Sequence, residues 1–483
     1  MSETKEFITD KHGENLPTVR IKKAILKNFK NVEYGEITFN CGRQFVPCNT
    51  ESDILGIYGQ NGSGKTAFIE ALTILKGLMS GYQLRDKIVD CIAIGKESSE
   101  LEFVFDLQYS DNKTREATYA FSLASREATD EEIKEKHKNT SEDSPSPEKE
   151  KRVVVFNEKF FLDWEDSSKK QRIIDTSSKD SPFFPSSKRK ELMGGKGKDL
   201  AVLGVNKNYA YKDSRSFIFM PETLSIFKEY NEECIFYEVL AELRLFAQYY
   251  LFVLSTRSSG LIRLNFALPI FCKEGEIPFF SNQTCSIDKE DFEDINNKVK
   301  NISLVLEQLV PGLTIGIKKF SETLTENGEK ADNVMLVAYR DGKEFPLRNE
   351  SDGVRRTISI LSLIIEAFNQ KSTTVAIDEF DAGIFEYLLG EILQAMEESG
   401  KGQFIFTSHN LRPLEVINRK FLYFTTTNPQ NRYYRLRNIA ATNNLRDTYF
   451  REIILNEQKE ELYNRTKRFK IVAALRKAGE GIE

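Results

Sequence analysis

A phosphate-binding loop is the sequence feature that most constrains this chain. The motif G-x-x-x-x-G-K-[ST] runs from Gly59 to Thr66, between an apolar run at 54–58 that predicts a buried strand and an apolar helical pattern at 67–75. The glycines let the backbone turn its N–H groups towards phosphate oxygens, and the helix start adds the positive end of its dipole. A glycine turn without a nucleotide is the alternative, but the strand–loop–helix context favours a nucleoside triphosphate site.

Each residue of the loop has an expected role. Lys65 is expected to reach the β- and γ-phosphates, and the hydroxyl of Thr66 is expected to hold Mg²⁺. The residues predicted to bind the nucleotide here are Gly59, Gln60, Asn61, Gly62, Ser63, Gly64, Lys65 and Thr66.

The composition is that of an ordinary globular protein. Of its 483 residues, 40% are hydrophobic and 29% are charged, which suffices for about two to four compact domains. The net charge of −5 gives no overall basic surface for nucleic acid. Residues 411–483 differ, because 15 Lys and Arg against 8 Asp and Glu give a local net charge of +7. That charge permits a nucleic-acid or acidic-protein partner, although a solvated helical tail is the simpler interpretation.

The cysteines and the apolar segments predict a cytoplasmic protein. The six cysteines are scattered without a C-x-x-C pair, as is typical of reduced thiols, and three histidines argue against a Cys/His zinc site. The polar residues 2–15 do not resemble a signal peptide. The most apolar helical window, 234–254, contains Glu238, Glu242 and Arg244, which argues against a membrane span.

Hydrophobic periodicity predicts strands in the first part of the chain. Residues 19–39 predict two strands with a bend near 28–30, and residues 101–107 and 116–123 predict a hairpin. The charged stretch 125–151 predicts an exposed, mobile loop. A further strand is expected at 151–161 and weak structure at 165–198.

The middle of the chain is predicted to be helical and then to return to strand. Residues 227–254 predict one long amphipathic helix, and 288–310 predict another that ends at Pro311 and Gly312. Three strands are predicted after it, at 313–320, 333–340 and 343–347. The last part of the chain predicts a strand at 433–438 and helices at 445–457 and 459–477.

A pair of carboxylates supplies the second half of a nucleotide site. The β-branched run 373–377 predicts a buried parallel strand that ends in Asp378 and Glu379. Asp378 is expected to hold Mg²⁺, and Glu379 to activate the attacking water as a base. The next strand, 403–407, ends near His409, which we predict to sense the γ-phosphate rather than to serve as a core histidine.

A helix start upstream adds a further anion-binding element. Ser351 and Gly353 precede the apolar helix predicted at 358–368, and a Ser-x-Gly sequence there could be a simple helix cap. The order of phosphate loop, Ser-x-Gly helix start, strand-Asp-Glu and strand-Ser-His resembles an ABC-type ATPase head. The branch is that of the RecF, SMC and OLD-family ATPases.

The resemblance implies an α/β fold and a set of roles. The fold expected is an ABC-type P-loop head, with a mixed central sheet and an antiparallel β lobe, interrupted by a largely helical insertion and followed by a helical C-terminal tail. Gly59 to Thr66 corresponds to the Walker A motif, Ser351 and Gly353 to the signature, and Asp378 with Glu379 to Walker B. Gln108 is predicted as the glutamine of the family's glutamine loop, and His409 as its switch histidine.

The resemblance also implies domain boundaries and partners. The predicted units are 1–124 and 313–438 for the two halves of the head, 125–312 for the insertion and 439–483 for a basic helical segment. Two heads of this family sandwich two ATP molecules, so the resemblance implies ATP and Mg²⁺ as cofactors and at least a homodimer. Membranes are excluded as partners, and nucleic acid is the less favoured partner.

Two functions remain open from the sequence. The chain is most similar to the stand-alone ATPases of anti-phage defence, in particular the ATPase subunit of PARIS-type systems, and Septu-type and retron-associated ATPases share the pattern. The 74 residues after His409 are too few for the Toprim nuclease that OLD proteins append, so a separate effector is expected. A phage-encoded trigger is compatible with this interpretation. The alternative is a RecF-like DNA-repair ATPase that binds DNA through its basic C-terminal region, and a scaffold with negligible turnover is a third.

Overall fold

The protein is described here by a computed structural model. It describes residues 16–39, 53–110, 113–129, 132, 151–163, 170–177, 197–231, 235–255, 267–272, 275–280, 284–324, 330–436, 444–455, 458–464 and 467–479.

A mainly parallel six-stranded sheet forms the centre of the protein. Its strands are β3 (Asp53–Tyr58), β8 (Leu251–Leu254), β15 (Thr374–Ile377), β16 (Gln403–Thr407), β17 (Leu422–Thr425) and β18 (Tyr433–Tyr434). Their order is β18-β17-β3-β16-β15-β8, and only the β17–β18 pair is antiparallel. Every residue of β15 and β16 is buried, as expected for parallel strands covered on both faces.

An antiparallel six-stranded sheet packs beside the central one. Its strands are β1 (Thr18–Phe29), β2 (Val32–Thr38), β4 (Ser98–Gln108), β5 (Thr114–Glu127), β6 (Lys151–Asp163) and β7 (Lys170–Asp175), in the order β2-β1-β4-β5-β6-β7. The bend between β1 and β2 places Asn28 and Lys30 in the left-handed region, with φ of 50° and 53°. The predicted strand pair at 19–39 and the predicted hairpin around 110–113 are therefore confirmed.

Two smaller sheets complete the strand content of the described residues. The hairpin pairs β9 (Ala267–Cys272) with β10 (Gly275–Phe280), and the four-stranded sheet contains β11 (Cys285–Asp288), β12 (Leu313–Leu324), β13 (Lys330–Arg340) and β14 (Lys343–Pro346). The three strands predicted between 313 and 347 are thus confirmed.

The α-helices are listed here in chain order: α1 (Lys65–Met79), α2 (Gly197–Lys212), α3 (Pro221–Asn231), α4 (Ile235–Leu245), α5 (Lys289–Leu309), α6 (Asp352–Asn369), α7 (Glu386–Ser399), α8 (Pro413–Val416), α9 (Leu445–Leu455) and α10 (Arg468–Gly479). Over the ranges described, no helix is long and apolar enough to cross a membrane.

The single long helix predicted at 227–254 is wrong. The chain there forms the end of α3, then α4, a short π-helical turn at Phe246–Tyr250 and finally β8, which pairs in parallel with β15. A four-residue apolar strand such as Leu251–Leu254 cannot be told from a buried helical turn by periodicity alone. The position of this segment in the fold makes it a strand, because it pairs with the edge of β15 that β16 leaves open and so completes the central sheet.

Other departures lie in the middle and at the end of the chain. Residues 170–175, predicted as weakly structured, form β7, and the predicted helix at 459–477 begins only at Arg468. Most of the loop predicted at 125–151 lies outside the described residues. The predicted domain boundaries stay a prediction, and strands β6, β7 and β8 of the predicted insertion complete both large sheets.

A buried glutamine joins the two large sheets. Gln403, at the start of β16, is fully buried, and its side chain accepts from Ile21 N (3.2 Å) and donates to Ile21 O (2.9 Å) on β1. Its amide also donates to Asp53 Oδ2 on β3 at 2.6 Å. Gln403 therefore satisfies backbone groups of one sheet from a position inside the other.

We expect Gln403→Ala to lower the free energy of unfolding by about 2–4 kcal/mol, because it leaves the buried amide and carbonyl of Ile21 and a carboxylate oxygen of Asp53 unpaired. Chemical denaturation of purified protein measures this change. Replacement of the exposed Gln83 by Ala is the matched control and should be neutral. Equal free energies of unfolding for the two variants would contradict the proposal that the Gln403 hydrogen bonds hold the two sheets together.

Candidate functional site

The carboxyl ends of three parallel strands bring the predicted motifs together. β3 pairs with β16 up to Ile57 and Thr407, and β16 pairs with β15 up to Phe406 and Ile377. Since parallel strands end at the same edge of a sheet, the phosphate loop after β3, the carboxylates after β15 and the histidine after β16 meet there. They line one cavity of about 830 Å³.

The phosphate loop has the backbone that its glycines predict. Gly59, Gly62 and Gly64 have positive φ angles, and Gly64 is the residue at which α1 is capped. At Gly59 a side chain is also excluded by space, because a Cβ would lie 1.7 Å from the hydroxyl of Thr425. The loop therefore presents backbone N–H groups and a helix N-terminus, which together form an anion-binding site.

Lys65 lies folded against its own loop. Its Nζ donates to the carbonyl oxygens of Gly59 (2.7 Å) and Gln60 (3.0 Å), and the residue is buried. Burial lowers the pKa of Lys65 to about 8, although the carboxylates of Asp378 and Glu379 act in the opposite direction. The ammonium group is thus already placed at the loop that would hold the phosphates.

Thr66 and Asp378 form an oxygen pair suited to Mg²⁺. The Thr66 hydroxyl lies 3.4 Å from Asp378 Oδ1, and Asp378 is 1% exposed. A hydroxyl and a carboxylate are ligands that Mg²⁺ accepts, with the remaining positions left to water and phosphate oxygens. Within the described part of the chain, no group of three or more His, Cys, Asp or Glu side chains could hold a metal by itself. The pair therefore fits a metal that arrives with a nucleotide.

Glu379 stands at a turn held from two sides. Its φ of 50° is unusual for a residue with a side chain. Its N–H donates to the Thr407 hydroxyl at 2.8 Å, and its carbonyl accepts from the Arg356 guanidinium at 2.7 Å. The side chain of Glu379 lines the cavity together with Asp378, as the sequence predicts for a base beside a metal ligand.

His409 is fixed through its backbone. The N–H of His409 lies 3.2 Å from both carboxylate oxygens of Asp381, and the N–H of Asn410 donates to Asp381 Oδ2 at 3.0 Å. Partial burial and the nearby ammonium of Lys65 lower the pKa of the His409 ring below its usual value. The ring is therefore neutral at neutral pH and keeps one N–H for donation.

The predicted signature residues lie at the start of α6 and do not line the cavity described for this chain. Ser351 caps the helix by accepting from Val354 N at 3.3 Å. Gly353 packs against the turn after Glu379, because a Cβ there would lie 2.6 Å from the carbonyl of Gly383. The binding role of Ser351 and Gly353 stays a prediction.

The structure does not support Gln108 as a nucleotide ligand. Gln108 pairs with Thr18 at the start of β1, whereas the end of β1, at Phe29, leads into the bend beside the phosphate loop. A 12-residue strand spans roughly 35–40 Å, so Gln108 lies far from the cavity. Its position after a strand suggested a glutamine-loop role. However, β4 runs antiparallel to β1, so the end of β4 that carries Gln108 points away from the phosphate loop.

Two residues at the β1–β2 bend were not predicted as site residues. Lys30 and Asn31 line the cavity. Asn31 donates to the carbonyl of Gly62, and the Arg432 guanidinium donates to Asn31 O at 2.6 Å. Lys30 pairs with Glu70 on α1. The unusual Asn-Phe-Lys-Asn bend was visible in the sequence, but its distance from the phosphate loop was not.

The C-terminal region also reaches the site. The N–H of Asn464 donates to the side-chain oxygen of Gln60 at 3.1 Å. Tyr463 and Tyr449 line a second cavity of about 330 Å³ with Gln60 and His409. The segment that precedes α10 is therefore in contact with the phosphate loop.

Comparison with known proteins gives the family. A family model described as "AAA domain, putative AbiEii toxin, Type IV TA system" matches residues 54–415. The chain belongs to this family. The matched region includes the phosphate loop, both carboxylates and His409. It therefore contains the motifs that follow β3, β15 and β16 at the edge of the central sheet. No curated protein matches the chain at a significant level.

Several solved structures are similar to this chain at low sequence identity. An SMC head bound to the C-winged helix domain of ScpA is 14% identical, with 86% of this chain and 97% of that chain covered and a TM-score of 0.43. The SMC head domain from Thermotoga maritima is 13% identical, with 87% and 100% covered and a TM-score of 0.36. The recombination mediator RecF with ATPrS is 13% identical, with 82% and 94% covered and a TM-score of 0.33.

The predicted fold class is confirmed. The AAA-domain chain has an α/β fold, with a mixed central sheet that carries the phosphate loop and an antiparallel β sheet beside it.

Because the pKa of Lys65 is about 8, we expect ATP affinity to fall above pH 8. The ammonium form binds phosphate, so binding above that pH must take up a proton, and affinity falls by up to about tenfold per pH unit. The phosphates themselves are already ionised there, since their last pKa is about 6. Fluorescence titration with an ATP analogue between pH 7 and 9.5 measures the effect.

The variant Lys65→Arg is the control for this profile, because a guanidinium stays charged throughout that range. It should bind more weakly at pH 7 but with little change up to pH 9.5. A flat profile for the wild-type protein would contradict the assigned role of Lys65.

Proposed function

We propose that this protein binds ATP with Mg²⁺ and hydrolyses it slowly, and that the bound nucleotide sets the state of a homo-oligomer. The oligomer would sense infection and control a separate toxic effector, such as a Toprim nuclease, in bacterial anti-phage defence. The convergence of Lys65, Thr66, Asp378, Glu379 and His409 on one cavity carries the ATPase part of this proposal.

The chain's own groups account for each requirement of phosphoryl transfer to water. Backbone amides of the phosphate loop and the ammonium of Lys65 hold the phosphates. Mg²⁺, held by Thr66 and Asp378, would supply charge neutralisation at the phosphate oxygens. Glu379 would take the proton of the attacking water as general base, and the neutral ring of His409 would donate a hydrogen bond to a γ-phosphate oxygen.

Two observations support an oligomer with a partner. Ser351 and Gly353 lie outside their own chain's cavity, as required if they act on the nucleotide of a second copy. The family description names a toxin of a toxin–antitoxin system, which favours the defence interpretation over a general role.

The second candidate is a RecF-like role on DNA. It is favoured by the basic C-terminal region, where α10 carries exposed Arg468, Lys470, Arg476 and Lys477 and no acidic side chain. Such a protein would bind DNA with an affinity that falls steeply with salt, because phosphate contacts release counterions.

Size-exclusion chromatography with mass determination distinguishes the defence role from the RecF-like role. The protein is expressed from its native operon, and the column is run with and without ATP. A large homo-oligomer that carries a second polypeptide supports the defence role. A monomer that dimerises only with ATP and carries nucleic acid supports the RecF-like role.

We expect Glu379→Gln to retain ATP binding and to lose hydrolysis by about 10²–10⁴-fold, because the general base is removed while the metal ligand remains. The trapped ATP-bound oligomer should then persist on a sizing column. Phosphate release and nucleotide retention are the measurements.

Glu391→Gln, an exposed carboxylate on α7, is the matched control and should hydrolyse ATP as the wild type does. If Glu379→Gln changes neither the rate of phosphate release nor the control of the effector, the protein is an ATP-dependent scaffold rather than a switch.

A further inference from the structure

We propose that the hydroxyl of Thr407 is a positioning group that fixes Asp378 and Glu379 together and thereby sets the affinity of the site for Mg²⁺. This inference rests on the proposed ATP·Mg²⁺ function. Thr407 is the last residue of β16, lies beside Ile57 of β3 and is fully buried. It does not line the cavity, so it would act through its neighbours.

The hydrogen bonds of this hydroxyl have only one consistent direction. Thr407 Oγ1 lies 2.6 Å from Asp378 Oδ1 and 2.8 Å from Glu379 N. The Glu379 N–H is a donor, so the hydroxyl accepts there. A hydroxyl has a single proton, and a carboxylate oxygen can only accept it, so Thr407 donates to Asp378. One buried group thus holds a carboxylate through its proton and the next amide through its lone pair.

The sheet fixes these two residues only in part. β15 ends at Ile377, and the Asp378 N–H still donates to Leu254 O on β8 at 2.8 Å, but the Asp378 side chain and Glu379 lie beyond the paired strand register. The backbone of Thr407 continues the link, because its carbonyl accepts from Phe380 N at 2.9 Å. Side chain and backbone of Thr407 therefore fix three consecutive residues after the strand.

The oxygen held by Thr407 is also the one that faces Thr66. Asp378 Oδ1 lies between the Thr407 hydroxyl and the Thr66 hydroxyl, at 2.6 Å and 3.4 Å. The Thr407 bond therefore determines how this carboxylate is turned towards the predicted Mg²⁺ position. The bond to Glu379 N in turn stabilises the left-handed backbone from which the predicted base projects.

The test compares Thr407→Val, which keeps the shape but loses the hydroxyl, with Thr407→Ser, which keeps the hydroxyl. ATP binding is measured at fixed ATP over a Mg²⁺ titration, with an EDTA baseline, and thermal unfolding is followed in parallel. We expect Thr407→Val to raise the Mg²⁺ concentration at half-saturation by about tenfold or more, as outer-shell partners of metal ligands do. Binding in EDTA should not change, and Thr407→Ser should lie within about twofold of the wild type.

Thr374→Val is the matched control, because Thr374 is a fully buried threonine of β15 at the end away from the cavity, and its hydroxyl is bonded to Gln403. It should lower stability without moving the Mg²⁺ half-saturation. If Thr407→Val does not fold, Thr407→Cys replaces it, since a thiol is a weak donor and should give an intermediate shift.

The outcomes separate this inference from the proposed function. A wild-type protein that binds no ATP overturns both. Mg²⁺-dependent binding by the wild type and Thr407→Ser, with the same half-saturation in Thr407→Val and only a lower unfolding temperature, overturns the role of Thr407 alone.

Discussion

The parallel pairing of β3 with β16 is the contact on which the rest of the structure depends. It joins residues 53–57 to residues 403–407, two segments that lie 350 positions apart in the chain. The two faces of β3 are buried in different clusters, Leu55 and Ile57 in one and Ile54 and Tyr58 in the other. The pairing places the phosphate loop beside the loop that carries His409, and β15 on the far side of β16 adds the two carboxylates. A nucleotide site follows from this strand order, since each motif stands immediately after a strand of the sheet.

The residues that touch the cavity were largely visible in the sequence, for a physical reason. Phosphate binding needs glycines, a lysine and a hydroxyl at fixed spacing, and a metal-directed carboxylate follows a buried strand. These requirements are local, so the sequence shows them without any knowledge of distant contacts. The strands from 19 to 39 and from 313 to 347 were predicted for a similar reason, because alternation of buried and exposed side chains is a local pattern.

What the sequence could not show depends on contacts between distant segments. β8 was mistaken for a helix because only its pairing with β15 makes four apolar residues a strand. Gln108 was misplaced because the direction of β4 is set by its antiparallel partner β1. Lys30, Asn31 and Thr407 belong to the site only because β1 and β16 end beside the phosphate loop.

The segment around Tyr463 and Asn464 gives the basic tail a physical connection to the nucleotide site. It contacts Gln60 within the loop, and it stands immediately before α10, whose apolar side chains Phe469 and Leu475 are exposed. α10 itself is exposed over residues 468–478, as expected for a solvated helix, so the contact with the loop belongs to the segment before it.

The most direct test of the central claim is equilibrium binding of ATP, with and without Mg²⁺, to the wild-type protein and to Lys65→Ala. We predict one nucleotide per chain for the wild type, tighter binding with Mg²⁺, and a loss of affinity of about a hundredfold or more in the variant, because a buried charge-assisted contact to phosphate is removed. Equal affinity of the two proteins, or no binding by the wild type, would show that the loop does not hold a nucleotide.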